Sequence, residues 1–420
     1  MSWRMKSAKN WGRLVMNFDN SPLYYIESNI QGKRYSLYDV AKWKNGLAFR
    51  NIDFSETGKP IIKIAELNNG ISAGTAFSDK EYSDEVYLTR GDLVFSWSGN
   101  PQTSIDIFWY DLPDGWLNQH IFKVTPHEDI IDKNYLYYLM KWLKPNLTAI
   151  ATNKQTTGLG HVTIADLKRI SVVLPSINEQ QRLVSLVKAI DDKIVVNRRI
   201  NDNLQQQARA LYQDWFVDFA PFGRIKPIDW KIGKLKDVLR LKRDAIKAGD
   251  KPLLPYLPID VIPMNTFAVT DFKSNDEAQS SLITFDKDDI VIGAMRVYFH
   301  RVILAPCEGI TRTTCFTLKP FDSAFLSFAL LCCDQDSSIE YAQTTSKGST
   351  MPYAVWDGGL GDMEIVIPTR ELALKFNELV LPMLRQIQSS YFENLNLRTM
   401  RDTLLPKLMS GEIDVSEVEI

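Results

Sequence analysis

The chain has 420 residues, 45% of them hydrophobic and 24% charged, which is an ordinary globular composition and excludes a disordered or fibrous protein. A chain of this length exceeds a single core and predicts two or three domains. The net charge of −2 excludes overall polyelectrolyte attraction, so any nucleic-acid contact depends on local concentrations of basic groups.

The first stretch, MSWRMKSAKNWGRLVMNF, is basic and lacks an apolar run long enough for a signal peptide. Strands are expected at PIIKIAEL, EVYLTRGDLVFSW and HIFKVTP, from their β-branched and aromatic content. The turn signals NNG and PDG separate the pieces. NYLYYLMKWLKPNL (134 to 147) has helical spacing of large apolar residues. Then NKQTTGLGHVTIADLKRISVVLP (153 to 175) runs from a polar loop to an apolar strand ending in proline.

Residues 178 to 219 read as one long unbroken helix. Leu183, Val187, Ile190, Ile194, Leu204, Ala208, Leu211 and Trp215 follow alternating steps of four and three, interrupted by polar Asn197 and Asn201. A stripe this narrow fits a coiled-coil seam better than a globular core face. About forty residues at 1.5 Å each gives a rod of roughly 60 Å.

The chain then repeats itself. GDLVF near residue 90 is answered by DDIVI near 288, and FLSFALLCCDQDSSIEYA (325 to 342) takes the place of the first domain's helix. That helical stretch contains FLSFALLCC, the longest strongly apolar run, which is too short to span a bilayer. TSKGSTMPYAVWDGGLGDMEIVIP (345 to 368) repeats the loop-to-strand passage. A second long helix follows, with Phe376, Val380, Met383, Ile387, Ser390, Asn394, Leu397, Arg401, Leu404 and Leu408 along its seam. Pro382 is expected to bend it, and Arg401 to snorkel or pair with an acid. In an antiparallel pair Asn197 and Asn201 face Ser390 and Asn394, a polar layer that costs stability and sets register.

The expected fold class is therefore α+β, with two pseudo-repeated domains and two long helices pairing as an antiparallel coiled coil. The boundaries are residues 1–176 for the first domain, 177–219 for the first helix, 220–369 for the second domain, 370–412 for the second helix and 413–420 for a tail.

LPSINEQQRLVSLVKAIDDKIVVNRRINDNLQQQARALYQDWFVDF and the later RTMRDTLLPKLMSGEIDV carry a specific likeness. With YSLYDVAKWKNGLAFRNIDFSETGKPIIKIAELNNG and the duplicated layout, the chain resembles the specificity subunit of type I restriction-modification enzymes. The resemblance implies two target-recognition domains, each reading one half of a split double-stranded DNA sequence. It implies helices that hold the domains apart and bind two methyltransferase subunits, with motor-nuclease subunits joining the assembly. S-adenosylmethionine, ATP and Mg are expected in those partners, with no cofactor in this chain. Lengthening the helices by four residues is expected to change the tolerated gap between half-sites.

Catalytic motifs are missing. There is no G-x-x-x-x-G-K-[ST] phosphate loop and no G-x-G-x-x-G after a strand. The nearest string to an adenine-methyltransferase tetrad, Asn100-Pro101-Gln102-Thr103, fails at two of four places. Cys307, Cys315, Cys332 and Cys333 lack C-x-x-C spacing, and His120, His127, His161 and His300 form no H-E-x-x-H pair, so no metal site is expected and the histidines read as structural or surface residues. The chain reads as a non-catalytic, soluble, cytoplasmic protein without a membrane partner. The alternatives are a coiled-coil scaffold that never touches DNA, or a fused modification enzyme with its own methyltransferase activity.

Base edges and phosphates are read by Arg, Lys, Asn, Gln, Ser and Thr. In the first domain the candidates are Lys154, Gln155, Thr156 and Thr157, with Trp97, Ser98, Asn100 and Gln102 after the GDLVF strand. In the second they are Ser346, Lys347, Ser349 and Thr350, with Arg296, Tyr298, His300 and Arg301 after DDIVI. Lys33, Arg34, Lys42, Lys44 and Arg50, and then Arg240, Lys242, Arg243 and Lys247, form basic stretches suited to phosphates.

Overall fold

A computed structural model describes residues 14–15, 24–26, 28–155, 158–279 and 281–415. The chain divides into two compact units, one of residues 1–191 with 399–420 and the other of residues 192–398. Candidates Thr156 and Thr157 lie outside the described residues.

In the first unit the central sheet is antiparallel. Its strands are β2 (Ala41–Asn45), β3 (Leu93–Ser96), β4 (Asp106–Trp109) and β5 (Ile121–Pro126), in the order β4-β3-β5-β2. β1 (Lys33–Ser36) instead pairs with β6 (Ile170–Leu174), Ser36 facing Ser171. Between β5 and β6 lies α1 (Lys133–Asn153), whose start is set by Asp132, the side chain accepting from the Asn134 and Tyr135 N–H groups. α1 runs through Pro145. It buries Tyr135, Leu139 and Trp142 against Trp43 and Phe95 of the sheet.

The second unit repeats this plan. β8 (Leu239–Lys242), β9 (Ile290–Gly293), β10 (Val302–Leu304) and β11 (Cys315–Pro320) form an antiparallel sheet in the order β10-β9-β11-β8. β7 (Lys231–Lys234) pairs with β12 (Glu364–Ile367), as β1 pairs with β6. The two copies differ where α1 is one helix and its counterpart is two, α3 (Leu326–Cys333) and α4 (Asp336–Thr344). Gln335 is extended between them (φ −65°, ψ 140°), which interrupts the helix.

The long helices are α2 (Ile177–Tyr212) and α5 (Arg370–Met409). α2 opens on a capping box, Ser176 and Glu179 each bonding the other's backbone N–H. Its α-helical part ends at Tyr212, seven residues before the expected limit, and one π turn (Gln213–Val217) follows. That turn carries Trp215 and Phe216 onto Phe376, with ring centroids 5.5 and 4.8 Å apart. α5 stays α-helical on both sides of Pro382 and closes at Gly411, whose φ of +72° suits glycine.

Within the second unit the helices pair antiparallel, residues 194 to 201 lying against 394 to 387. Within the first, Arg401 donates to Asp191 at 2.8 Å, so the seam arginine pairs with an acid. Beyond Asn201 the buried stripe departs from the expected one. Gln205, Tyr212 and Phe216 are buried, whereas Leu204, Leu211 and Trp215 are only partly so. In α5 Leu384 is buried in place of Met383. A 3.6-residue helix drifts off a strict seven-residue pattern, and here the helix face joins the core around Phe328. Among the described residues no helix is long and apolar enough to cross a membrane.

Candidate nucleic-acid interface

In each unit two candidate segments far apart in sequence are joined by backbone pairing. In the first, the chain leaving β3 at Trp97 pairs with the segment before β6, Ser98 opposite His161 and Gly99 opposite Gly160. The Val162 N–H donates to the Trp97 carbonyl at 2.8 Å. Gly99 has φ +134°, and a Cβ there would meet Ser104 at 2.7 Å, so this close approach requires glycine. In the second unit Met295 pairs with Tyr353, and the Ala354 N–H donates to the Ala294 carbonyl at 2.8 Å. Ala294 thus answers Trp97, and Ala354 answers Val162.

Around this junction the first unit assembles a polar, aromatic surface. Trp97 stacks on Phe122 (centroids 5.6 Å, planes 27° apart), and its Nε1–H donates to Asn45 Oδ1 at 3.0 Å. The rings of His120 and His161 each lie 5.9 Å from the Trp97 ring. Ser98 Oγ and His161 Nδ1 are 2.8 Å apart. Burial, with the nearby His161, lowers the pKa of His120, so its imidazole is neutral at pH 7 and offers both a donor and an acceptor. Asn100 caps the short helix Pro101–Ser104 by accepting from the Gln102 N–H, so its oxygen is already used, while the Gln102 side chain is exposed.

Lys154 does not face outward as a free cation. It bonds both oxygens of the buried Asp166, at 2.5 and 2.7 Å. Gln155 remains exposed.

The second unit holds its candidates on tighter turns. Arg296 (φ +48°) and His300 (φ +51°) bracket a short helical turn, Val297–Phe299, leaving Arg296 and Tyr298 exposed. Lys347 and Tyr353 exchange two backbone hydrogen bonds of 2.9 Å, closing a loop that exposes Lys347, Ser349 and Thr350. Three other candidates turn inward. Arg301 donates to the Ile259 carbonyl at 2.6 Å, Ser346 Oγ to Ala342 at the end of α4, and His300 sits 2.9 Å from Asp334.

Several residues of the basic stretches are likewise occupied. Lys42 and Lys44 both bond Glu85, and that pair, Lys42 foremost, holds the Glu85 carboxyl down to about 2. Lys242 is buried on Asp286 and Asp289 rather than offered to phosphate. The exposed Arg243 pairs with Asp357, while Arg50, Arg240 and Lys247 are exposed. Arg240 and Lys242 lie two apart on β8, and what separates their fates is that Lys242 meets the buried Asp289.

Sequence reading placed His120 and His161 among structural or surface histidines and did not single out Asn45 or Tyr353. Aligning the two copies from Pro175 and Pro368 backwards would have set His161 near Tyr353, and that was the available signal. The surface offers hydrogen-bond donors, acceptors and aromatic edges. Among the described residues no group of three or more His, Cys, Asp or Glu could hold a metal.

The family model for the type I restriction modification DNA specificity domain matches residues 31–206. The chain is similar to the type I restriction specificity subunits. It is 24% identical to the MjaIX specificity subunit of Methanocaldococcus jannaschii, over 86% of this chain and 90% of that one. It is 22% identical to the HindI specificity subunit of Haemophilus influenzae, over 91% and 99%. The crystal structure of a type I S subunit from M. genitalium has the same fold, with a TM-score of 0.62 at 15% identity, covering 90% of this chain and 96% of that one. The matched region includes the whole junction of Trp97 with His161 and part of α2.

Proposed function

We propose that this chain is a specificity subunit that reads a bipartite double-stranded DNA site, one unit per half-site, and that α2 and α5 dock two methyltransferase subunits. Support comes foremost from the repeated junction, where each unit joins a loop after its central strand to a polar loop 60 or so residues on, as Ser98 with His161 and Met295 with Tyr353. The same arrangement built twice suits two separate contacts with one duplex. The readers are Gln102, Gln155, His120 and His161 in the first unit, and Arg296, Tyr298, Lys347, Ser349 and Thr350 in the second. Their donors and acceptors match base edges and phosphates.

The chain performs no reaction itself in this reading. Methylation with S-adenosylmethionine, and any ATP- and Mg-dependent cleavage by motor-nuclease subunits, belong to the partners. The relatives are named as specificity subunits of restriction enzymes, which fits a recognition role.

Mapping methylated adenines genome-wide, in cells carrying this chain and its methyltransferase, tests the proposal. The expected result is a single split motif with a constant gap. Methylation that needs no copy of this chain, or falls on one uninterrupted motif, would overturn it. A scaffold that never touches DNA would show no salt-dependent shift with a random duplex.

A further inference from the structure

The loops at the two junctions are polar, yet each carries a large aliphatic side chain in the open. Leu159 is 50% exposed and Met351 is 54% exposed. The equivalence of the two is fixed by hydrogen bonds rather than by sequence likeness. Val162 donates to Trp97 and Ala354 donates to Ala294, both at 2.8 Å, and the apolar residue stands three places before the donor in each unit. Single exposed hydrophobics are ordinary on protein surfaces. Here the same position is occupied by leucine in one copy and methionine in the other, each in the segment that carries candidate base readers.

Neither side chain can read a base edge by hydrogen bonding. What a leucine or methionine offers a duplex is an apolar wedge, which unstacks one base step and bends the helix. A wedge needs a stiff mount, and backbone pairs close to each tip supply one. The Met351 loop is closed at its base by the paired Lys347 and Tyr353 backbones, with Gly348 at φ +88° turning the chain toward the tip. Leu159 directly precedes the Gly160–Gly99 and His161–Ser98 pairs. The flanking polar groups, Gln155 on one side and Ser349 and Thr350 on the other, would anchor the loop on the adjacent sugar and phosphate while the tip enters.

We infer that Leu159 and Met351 are paired wedges, each inserted at one base step of its own half-site and contributing sequence preference through the ease of opening that step. Pyrimidine–purine steps open most readily, so preference arises without a hydrogen bond to the step itself. This inference rests on the DNA-reading role proposed above.

The test uses the full chain assembled with its methyltransferase subunits and duplexes carrying the mapped site, with 2-aminopurine placed in turn through both half-sites. Unstacking brightens the probe, and anisotropy of the same duplex reports binding. Binding is expected to brighten one step in each half-site. L159A should abolish one of these signals and leave the other, M351A the reverse, while L159M and M351L keep both. Because both residues are exposed, the alanine variants should melt with the parent. Binding without brightening at any step, or brightening unchanged by both alanine variants, overturns the wedges and leaves DNA reading intact. Absence of binding by the parent assembly overturns the DNA-reading role and the wedges with it.

Discussion

Asn197 donates its side-chain amide to Asn394 Oδ1 at 3.0 Å, and each residue is 2% exposed. The same amide also reaches Glu393 Oε2 at 2.7 Å. Asn201, one turn further on, is less well served. Its amide donates to the Ile387 carbonyl at 3.4 Å, and its buried Oδ1 has no partner. Two neighbouring asparagines in one layer thus have opposite energetic standing.

That contrast gives a prediction of sign. Asn201→Leu removes an unsatisfied buried acceptor and is expected to raise the melting temperature. Asn197→Leu strands the buried Asn394 Oδ1 and is expected to cost about 1–3 kcal/mol. For a unit of this size that is roughly 2–4 °C per kcal/mol. Thermal melts of the two variants decide it, and a lower melt for N201L than for N197L would refute the account.

Arg296 and Lys347 are exposed on the proposed DNA-reading loops, whereas Arg301 donates inward to Ile259. R296A and K347A are each expected to reduce the slope of log binding constant against log salt by about 1. R301A should leave that slope alone and lower stability, since it frees a carbonyl that now accepts a charged donor. Salt titrations of the three variants, with melting curves alongside, separate the roles.

His300 ties the Val297–Phe299 turn to the body of its unit. Its imidazole lies 2.9 Å from Asp334, which also receives Arg209 at 2.7 Å, while Asp336 stands 3.6 Å from the other ring nitrogen. The hydrogen bond to Asp334 raises the His300 pKa above the ordinary 6.5, outweighing burial and the neighbouring Arg209. A folded pKa above the unfolded one means stabilisation fully present below pH 6.5 and lost as pH rises through the raised value. H300Q is therefore expected to destabilise more at pH 5.5 than at pH 8.5. Equal losses at the two pH values would rule this out.

Lys154 is predicted to act on stability rather than on DNA. Burial raises the Asp166 pKa, but the bonds from Lys154 and Thr163 outweigh it and hold the carboxyl below 3.8. Such a group contributes stability above its unfolded pKa, lost as pH falls through the folded value. K154A should cost about 1–3 kcal/mol at pH 7, allowing for solvent screening of the partly exposed ammonium, and less at pH 3, which lies below the unfolded pKa. Chemical denaturation at both pH values measures it.

Much of the architecture was legible because periodicity and repetition are local, additive signals. The four-three spacing from Leu183 to Ile194 marks one helical face whatever surrounds it, and the polar interruption at Asn197 and Asn201 stands out against it. Past Asn201 the expected Ala208 is buried, but packing on Phe328 and Phe376 selects Tyr212 and Phe216 over Leu211 and Trp215. Site residues were legible as loops but not as roles. Lys154, Lys242 and Arg301 have the composition of nucleic-acid ligands, and a partner distant in sequence takes each of them.

By itself, then, the sequence determined the doubled plan, the two long helices and their polar layer, because hydrophobic period and turn chemistry act over a few residues. Only the tertiary structure decided that Trp97 meets His161 and Met295 meets Tyr353, and which cations are free. Those outcomes depend on strand pairing and on buried carboxylates such as Asp166, Asp289 and Asp334. Burial makes an unpaired charge so costly that the nearest base is drawn inward, wherever it lies along the chain.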